Sequence, residues 1–326
     1  MRQLVFTKPG EAVVRDAPVP SPGPGEVLVS SHRVGICHSD FELLEGDYII
    51  PVSYPVVPGH EWSGQVVGVG SDVSDVSVGD KVVGECVVGE SGKDHFGFSI
   101  SGAAAEYFIA RAEWLHRLPE NVGFTEGALV EPFSVGYNAC ERARVRAGDR
   151  VVVLGGGPIG LLSALAAMGL GGEVTLVEPR EDRRSLASEL DVPHVLGVTG
   201  HELVAVAEEA TGGQLFDVVI ESAGRPPAMA DALQLAGHRA RVMYVGISRS
   251  GSAEAHLGLI QLKALEIRGI IGSVGVWPAA IELLASGSVN ARAIVTAEFP
   301  LDRALDGLKA AEVGSGNVKV HLKVAE

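Results

Sequence analysis

Three short segments carry side chains able to hold a metal ion: Gly35-Ile-Cys-His-Ser-Asp40, Pro58-Gly-His-Glu-Trp62 and Val130-Glu-Pro132. Cysteine, histidine and glutamate are the donors of a catalytic zinc, which keeps one position open for water or substrate. Each segment alone has a plainer reading. A lone cysteine is most often a buried hydrophobe, and a His-Glu pair is usually a turn or surface feature. Their combination gains weight from the downstream run Val151-Val-Val-Leu-Gly-Gly-Gly-Pro-Ile-Gly160. There an apolar, β-branched stretch feeds Gly155, Gly157 and Gly160, and an apolar helical pattern begins at Pro158 and Ile159. That is a G-x-G-x-x-G turn between a strand and a helix. It brings a pyrophosphate against the backbone N–H groups of a helix N-terminus.

The next strand ends at Glu178, in Thr175-Leu-Val-Glu-Pro-Arg180. A carboxylate there accepts both adenosine-ribose hydroxyls and repels a 2′-phosphate, so NAD is favoured over NADP. Arg180, Arg183 and Arg184 temper this, because a guanidinium binds phosphate well; a solvated helix start explains them equally. Two later strand ends, with Ser222 and Ala223 in the first and Val245, Gly246 and Ile247 in the second, carry small residues where the sheet should meet the cofactor. Singly, each pair is compatible with an ordinary turn.

The elements that must position these residues fall into two regimes. Up to about residue 138 the chain reads as strands and turns, with apolar runs at Val27–Ser30, Gly64–Gly70 and Lys81–Val83 and a turn at Gly79-Asp80. Beyond it, helix and strand alternate. Helices are predicted at Tyr137–Arg144, Ile159–Met168 and Arg183–Leu190, and strands at Val151–Leu154, Val174–Val177, Phe216–Glu221, Arg241–Val245 and Ile267–Ile271. This predicts an α/β protein with a doubly wound parallel sheet. The tail holds a helical pattern at Pro278–Ser286 and the alternating run Val318-Lys-Val-His-Leu-Lys-Val324, which suits a strand returning to the first domain. The expected division is residues 1–138 and 273–326 as a discontinuous β-rich catalytic domain, with 139–272 as an inserted Rossmann domain.

With 326 residues, 46% of them hydrophobic, the chain has ample core material for two domains. A net charge of −15 argues against nucleic acid or an anionic membrane as partner. No stretch reaches the roughly eighteen apolar residues of a membrane span, and the first ten residues read as a strand and turn rather than a signal peptide. Three cysteines make no disulfide framework. The expectation is a soluble cytoplasmic enzyme acting on a small molecule.

Taken in order, Gly35-Ile-Cys-His-Ser-Asp40, Pro58-Gly-His-Glu61, Gly79-Asp80, Ala105-Glu-Tyr107, Glu131-Pro132 and the Gly155 fingerprint resemble the zinc-dependent medium-chain dehydrogenase/reductase family over essentially the whole chain. Glu131-Pro-Phe-Ser-Val135 is similar to the sorbitol, threonine and butanediol dehydrogenase branch, and Tyr54–Gly64 resembles aminocyclitol dehydrogenases acting on 2-deoxy-scyllo-inosamine. The resemblance implies a GroES-like catalytic domain and one catalytic zinc held by Cys37 and His60, with Glu61 and Glu131 as carboxylate candidates. It implies that Asp40 orients the ligand histidine, that Ser39 relays the substrate proton, and that His38 lies near the pyrophosphate or fills its loop. Relatives also imply a homodimer or homotetramer through edge pairing of nucleotide domains. Most relatives carry a four-cysteine lobe for a structural zinc. Here the matching stretch Gly84–Gly102 has only Cys86, so no structural zinc is expected; Asp94 and His95 could join Cys86 around another metal, but a solvent-facing loop is the favoured reading.

The implied reaction is reversible oxidation of a secondary alcohol by NAD in the cleft between the domains, with zinc as Lewis acid. Phe41, Tyr48, Ile49, Trp62 and Phe133 are candidates to line the pocket, with core packing as the alternative for each. Two other readings stand beside it. One is an NADPH-dependent carbonyl reductase on the same fold, which Glu178 opposes. The other is a non-catalytic dinucleotide-binding redox sensor, which intact Cys37, His60 and Ser39 oppose.

Overall fold

The computed structural model describes residues 1–89, 92–312 and 316–325. The chain divides into two compact units: Met1–Glu131 with Trp277–Ala285 and Val295–Glu326, and Pro132–Val276 with Ser286–Ile294.

The first unit is built on a seven-stranded sheet in the order Val295–Pro300, Lys319–Lys323, Glu26–Ile36, Glu61–Val69, Lys81–Gly84, Leu115–Arg117, with Tyr107–Arg111 also paired to Glu26–Ile36. Arg2–Lys8 and Glu11–Asp16 form a separate antiparallel pair. The tail strand Lys319–Lys323 runs antiparallel to Glu26–Ile36, placing His321 opposite Gly35 and Val320 opposite Ile36. On its other side it runs parallel to Val295–Pro300. Gly35 also pairs with Glu61 on the neighbouring strand. Three strands distant in sequence therefore converge at the residues just before Cys37. The core joins Val27, Val29, Val34, Val66 and Val82 with Trp62, Phe96, Phe98 and Phe108. Trp62 stands edge-on to Phe108 at 4.7 Å, and Phe96 lies 5.6 Å from Phe108. Each such side chain contributes about 1.5–3 kcal/mol by leaving water.

Within Gly84–Gly102, Val87–Val88 pairs antiparallel with Asp94–His95, and the Cys86 Sγ lies 3.7 Å from the Phe96 carbonyl. Glu90 and Ser91 of this stretch lie outside the described residues.

The second unit is a six-stranded parallel sheet. Its order is His194–Leu196, Glu173–Val177, Arg150–Leu154, Phe216–Glu221, Ala236–Tyr244, Glu266–Gly269. Both faces are covered, which is why Val151, Val152, Val153 and Leu154 form an unbroken apolar run that is wholly buried. The chain order reverses between Arg150–Leu154 and Phe216–Glu221, and ligands of such sheets bind at that switch point. The helix predicted from Tyr137 starts at Val130 and ends at Arg142. Proline at position 132 is tolerated there because first-turn N–H groups have no partner inside a helix, so Glu131 sits in a helical first turn. The last strand spans Glu266–Gly269, shorter than the predicted Ile267–Ile271. Among the described residues no helix is long and apolar enough to cross a membrane.

Candidate active site

The strand Glu26–Ile36 delivers Cys37 to the start of the helix His38–Glu45. Asp40, in its first turn, accepts the Cys37 backbone N–H at 2.8 Å through Oδ2. An acidic group there satisfies an otherwise orphan donor and complements the helix dipole. His60 ends the loop before the strand Glu61–Val69, so His60 and Glu61 are presented together. Cys37 Sγ, a ring nitrogen of His60 and a carboxylate oxygen of Glu61 all lie within 4.8 Å of one another. Glu61 and His60 are buried and Cys37 is half-buried.

This set suits zinc, whose ligands are thiolate, imidazole and carboxylate. Asp40 Oδ1 and His60 Nδ1 face each other at 3.7 Å, each buried without a hydrogen-bond partner. Burial alone would strip protons from His60, but Asp40 and Cys37 outweigh it and hold its pKa well above the ordinary imidazole value. The site thus gathers negative charge around His60, and metal binding would displace a proton from the imidazolium. Among the described residues this is the one group with the donors and spacing for an ion.

Around the donors stands a second ring. Lys319 Nζ donates to both Glu61 oxygens, at 2.8 and 2.7 Å. Glu131 is outside the tight group; burial pushes its carboxyl up to about 7, against the pull of His60. Ser39 is half-buried in the first turn of its helix, and His38 is exposed. Phe98 packs 4.6 Å from the His60 ring and stacks on Tyr48 at 4.3 Å, within 5° of parallel. Of the aromatic pocket candidates, Trp62 and Phe133 are core residues, 3% and 0% exposed, while Ile49 is exposed. Phe41 and Tyr48 are partly buried against the core. Sequence reasoning did not find Lys319 or Phe98. Lys319 carried one signal, its place in the alternating tail strand; Phe98 carried none.

The residues that the sequence offers for a dinucleotide gather at the carboxyl ends of the parallel strands. Gly155 has φ 103°, and Gly157 caps the helix Pro158–Gly169, with proline at its first position. A Cβ at Gly160 would collide with the Gly155 carbonyl, so glycine there lets helix and strand meet. Glu178 is buried; its Oε2 accepts the Gly156 N–H at 2.8 Å and its Oε1 the Arg180 N–H at 2.8 Å. Arg183 lies 3.8 Å from Glu178, with its Nε buried and unpartnered. Ser222 spends its hydroxyl on the Leu154 carbonyl at 2.8 Å. The Ala223 and Gly224 N–H groups are held by Glu221 Oε1, each at 2.9 Å, and Val245 and Gly246 donate to the Glu221 carbonyl. Ile247 is exposed.

A β-rich GroES-like unit with a Cys/His/Glu donor set, and a Rossmann-type unit with a glycine-rich turn, define a zinc-binding oxidoreductase that uses an NAD(P) dinucleotide. Residues 23–120 match the alcohol dehydrogenase GroES-like domain, and residues 158–286 match the zinc-binding dehydrogenase family. The chain is 35% identical to sorbitol dehydrogenase of Bos taurus, covering 98% of this chain and 95% of that one. It is 37% identical to 2-dehydro-3-deoxy-L-galactonate 5-dehydrogenase of Pseudoalteromonas atlantica over 86% of each. Its fold superposes on 2R,3R-butanediol dehydrogenase of Bacillus subtilis with a TM-score of 0.91, at 30% identity over 99% of both chains. The chain belongs to the zinc-dependent medium-chain alcohol dehydrogenase family and is similar to its sorbitol dehydrogenases.

Proposed function

We propose that this chain is an NAD-dependent zinc dehydrogenase for secondary alcohols of the polyol, cyclitol or amino-alcohol type. The clustered Cys37–His60–Glu61 donor set carries the reading. Cys37, His60 and Glu61 hold the ion, and Glu131 stands nearby as a further carboxylate. Bound zinc supplies a Lewis acid that makes an alcohol hydroxyl more acidic. Ser39 takes up the released proton and passes it outward. Asp40 fixes the His60 tautomer, since the second ring nitrogen of a ligand histidine needs an acceptor. The Gly155–Gly160 turn binds the pyrophosphate and Glu178 the adenosine ribose. The bound dinucleotide supplies the hydride acceptor.

The three relatives act on sorbitol, a deoxygalactonate and butanediol, whose common feature is an alcohol beside a second oxygen function. Tyr48 stacked on Phe98 offers an aromatic wall beside His60, against which the ring carbons of a cyclitol would pack. The likeness of Tyr54–Gly64 to aminocyclitol dehydrogenases supports that branch. A homodimer or homotetramer in the cytoplasm completes the reading. NADP is the second reading for the cofactor, favoured by one observation: the unpartnered Arg183 Nε beside Glu178.

Following NADH formation with polyols, cyclitols, amino sugars and β-hydroxy amino acids, and comparing NAD with NADP, tests this reading. Cys37→Ser is expected to lose zinc and turnover while still binding NADH. Retention of both metal and full rate would sink the assignment.

A further inference from the structure

Lys319 opens the tail strand and is only 3% exposed. A lysine buried this far costs several kcal/mol unless its charge is met. Here it is met completely. Its Nζ donates to Glu61 Oε1 at 2.8 Å, to Glu61 Oε2 at 2.7 Å and to the Ile36 carbonyl at 3.2 Å, which uses all three ammonium protons. The backbone is cut to fit this pair. A Cβ at Gly35 would collide with Glu61 Oε2, so the carboxylate lies across the glycine. Two cations therefore have a claim on one carboxylate: the ion that Cys37 and His60 would share with Glu61, and Lys319.

We propose that Lys319 is a positioning residue of the metal site, whose ammonium holds Glu61 in place and competes with the ion for it, setting how readily the metal leaves. The proposal rests on the zinc-site reading. An ammonium 2.7 Å away withdraws charge that Glu61 would otherwise give to the metal. It also supplies a partner to Glu61 when the ion departs, so the emptied site does not contain a bare buried anion.

Co²⁺ in place of zinc gives a probe that needs no substrate, because its visible spectrum reports the ligand set and a chelator reports its release. In Lys319→Met, Glu61 gives its whole charge to the ion. Release is expected to slow by about tenfold or more, the worth of one charge-assisted hydrogen bond. The metal-free protein should lose stability, the cobalt spectrum should shift, and Lys319→Arg should restore all three toward the parent. Should Lys319→Met fail to fold, Lys319→Gln, which keeps a hydrogen-bond donor but no charge, carries the same test. A Lys319→Gln protein that releases cobalt as fast as the parent overturns the proposal. So does a Lys319→Met protein whose release rate and spectrum match the parent. A parent protein that takes up no cobalt at all would instead overturn the zinc-site reading.

Discussion

Glu61 shows how closely a single side chain is determined by its neighbours. Its carboxylate lies across Gly35, is gripped by Lys319, and faces Cys37 and His60. Gly35 is required for room rather than for backbone freedom. Gly35→Ala forces the carboxylate aside, and the obstacle is the carboxylate itself, already fixed by two hydrogen bonds. We expect this variant to lose bound zinc and about 2 kcal/mol of stability, the range for a disrupted buried ion pair or overpacked site. Metal analysis and urea unfolding check both, and a variant with full zinc content and parent stability would contradict the packing account. The residue types at this site were legible in the sequence. Cys37, His60 and Glu61 stood out because thiol, imidazole and carboxylate are uncommon in such order. Lys319 did not, because a lysine in an alternating strand is ordinarily solvated.

At the scale of elements, the strand Phe216–Glu221 ends in a carboxylate that organises the turn after it. Glu221 is fully buried; Oε1 accepts two backbone N–H groups, while Oε2 has no partner. Burial pushes its carboxyl up to about 7, although the Gly224 and Ala223 N–H groups pull the other way. A raised carboxyl pKa means that the folded state holds the proton when the unfolded chain has already released it. Stability should therefore be greatest below about pH 4.5 with respect to this group, fall between there and pH 7, and level off above. The full span is at most about 3 kcal/mol. Glu221→Gln should remove this slope, and unfolding free energies at pH 5 and pH 8 measure it; an unaltered slope would rule out Glu221 as its source. The sequence marked this strand and its small residues, but Ser222 proved to be tied to the Leu154 carbonyl. A hydroxyl at a strand end reads the same whether it faces a ligand or the neighbouring backbone.

For the whole molecule, the candidate metal donors belong to one unit and the residues proposed for the dinucleotide to the other. Stripping the metal with a chelator is therefore expected to abolish turnover while NADH binding, followed by nucleotide fluorescence, changes less than about threefold. Loss of both together would show that the two units do not keep separate binding functions. The net charge of −15 leaves the surface repelling polyanions, in keeping with a small-molecule substrate.

The sequence by itself determined what local rules encode. Strand Arg150–Leu154 is written as an unbroken apolar run because both its faces are buried, and the turn after it needs glycine at positions 155 and 160, where a positive φ and a close backbone approach exclude a side chain. The donor residues were likewise visible as types. Only the tertiary structure decided which side chains meet. Alternation in the tail marks a strand but says nothing of what its polar face turns toward, and here that face places Lys319 and His321 in the interior. Phe98 reaches His60 from a loop with no periodicity to betray it. Contacts between residues hundreds of positions apart arise from the register of three strands, and register is a property of the assembled sheet.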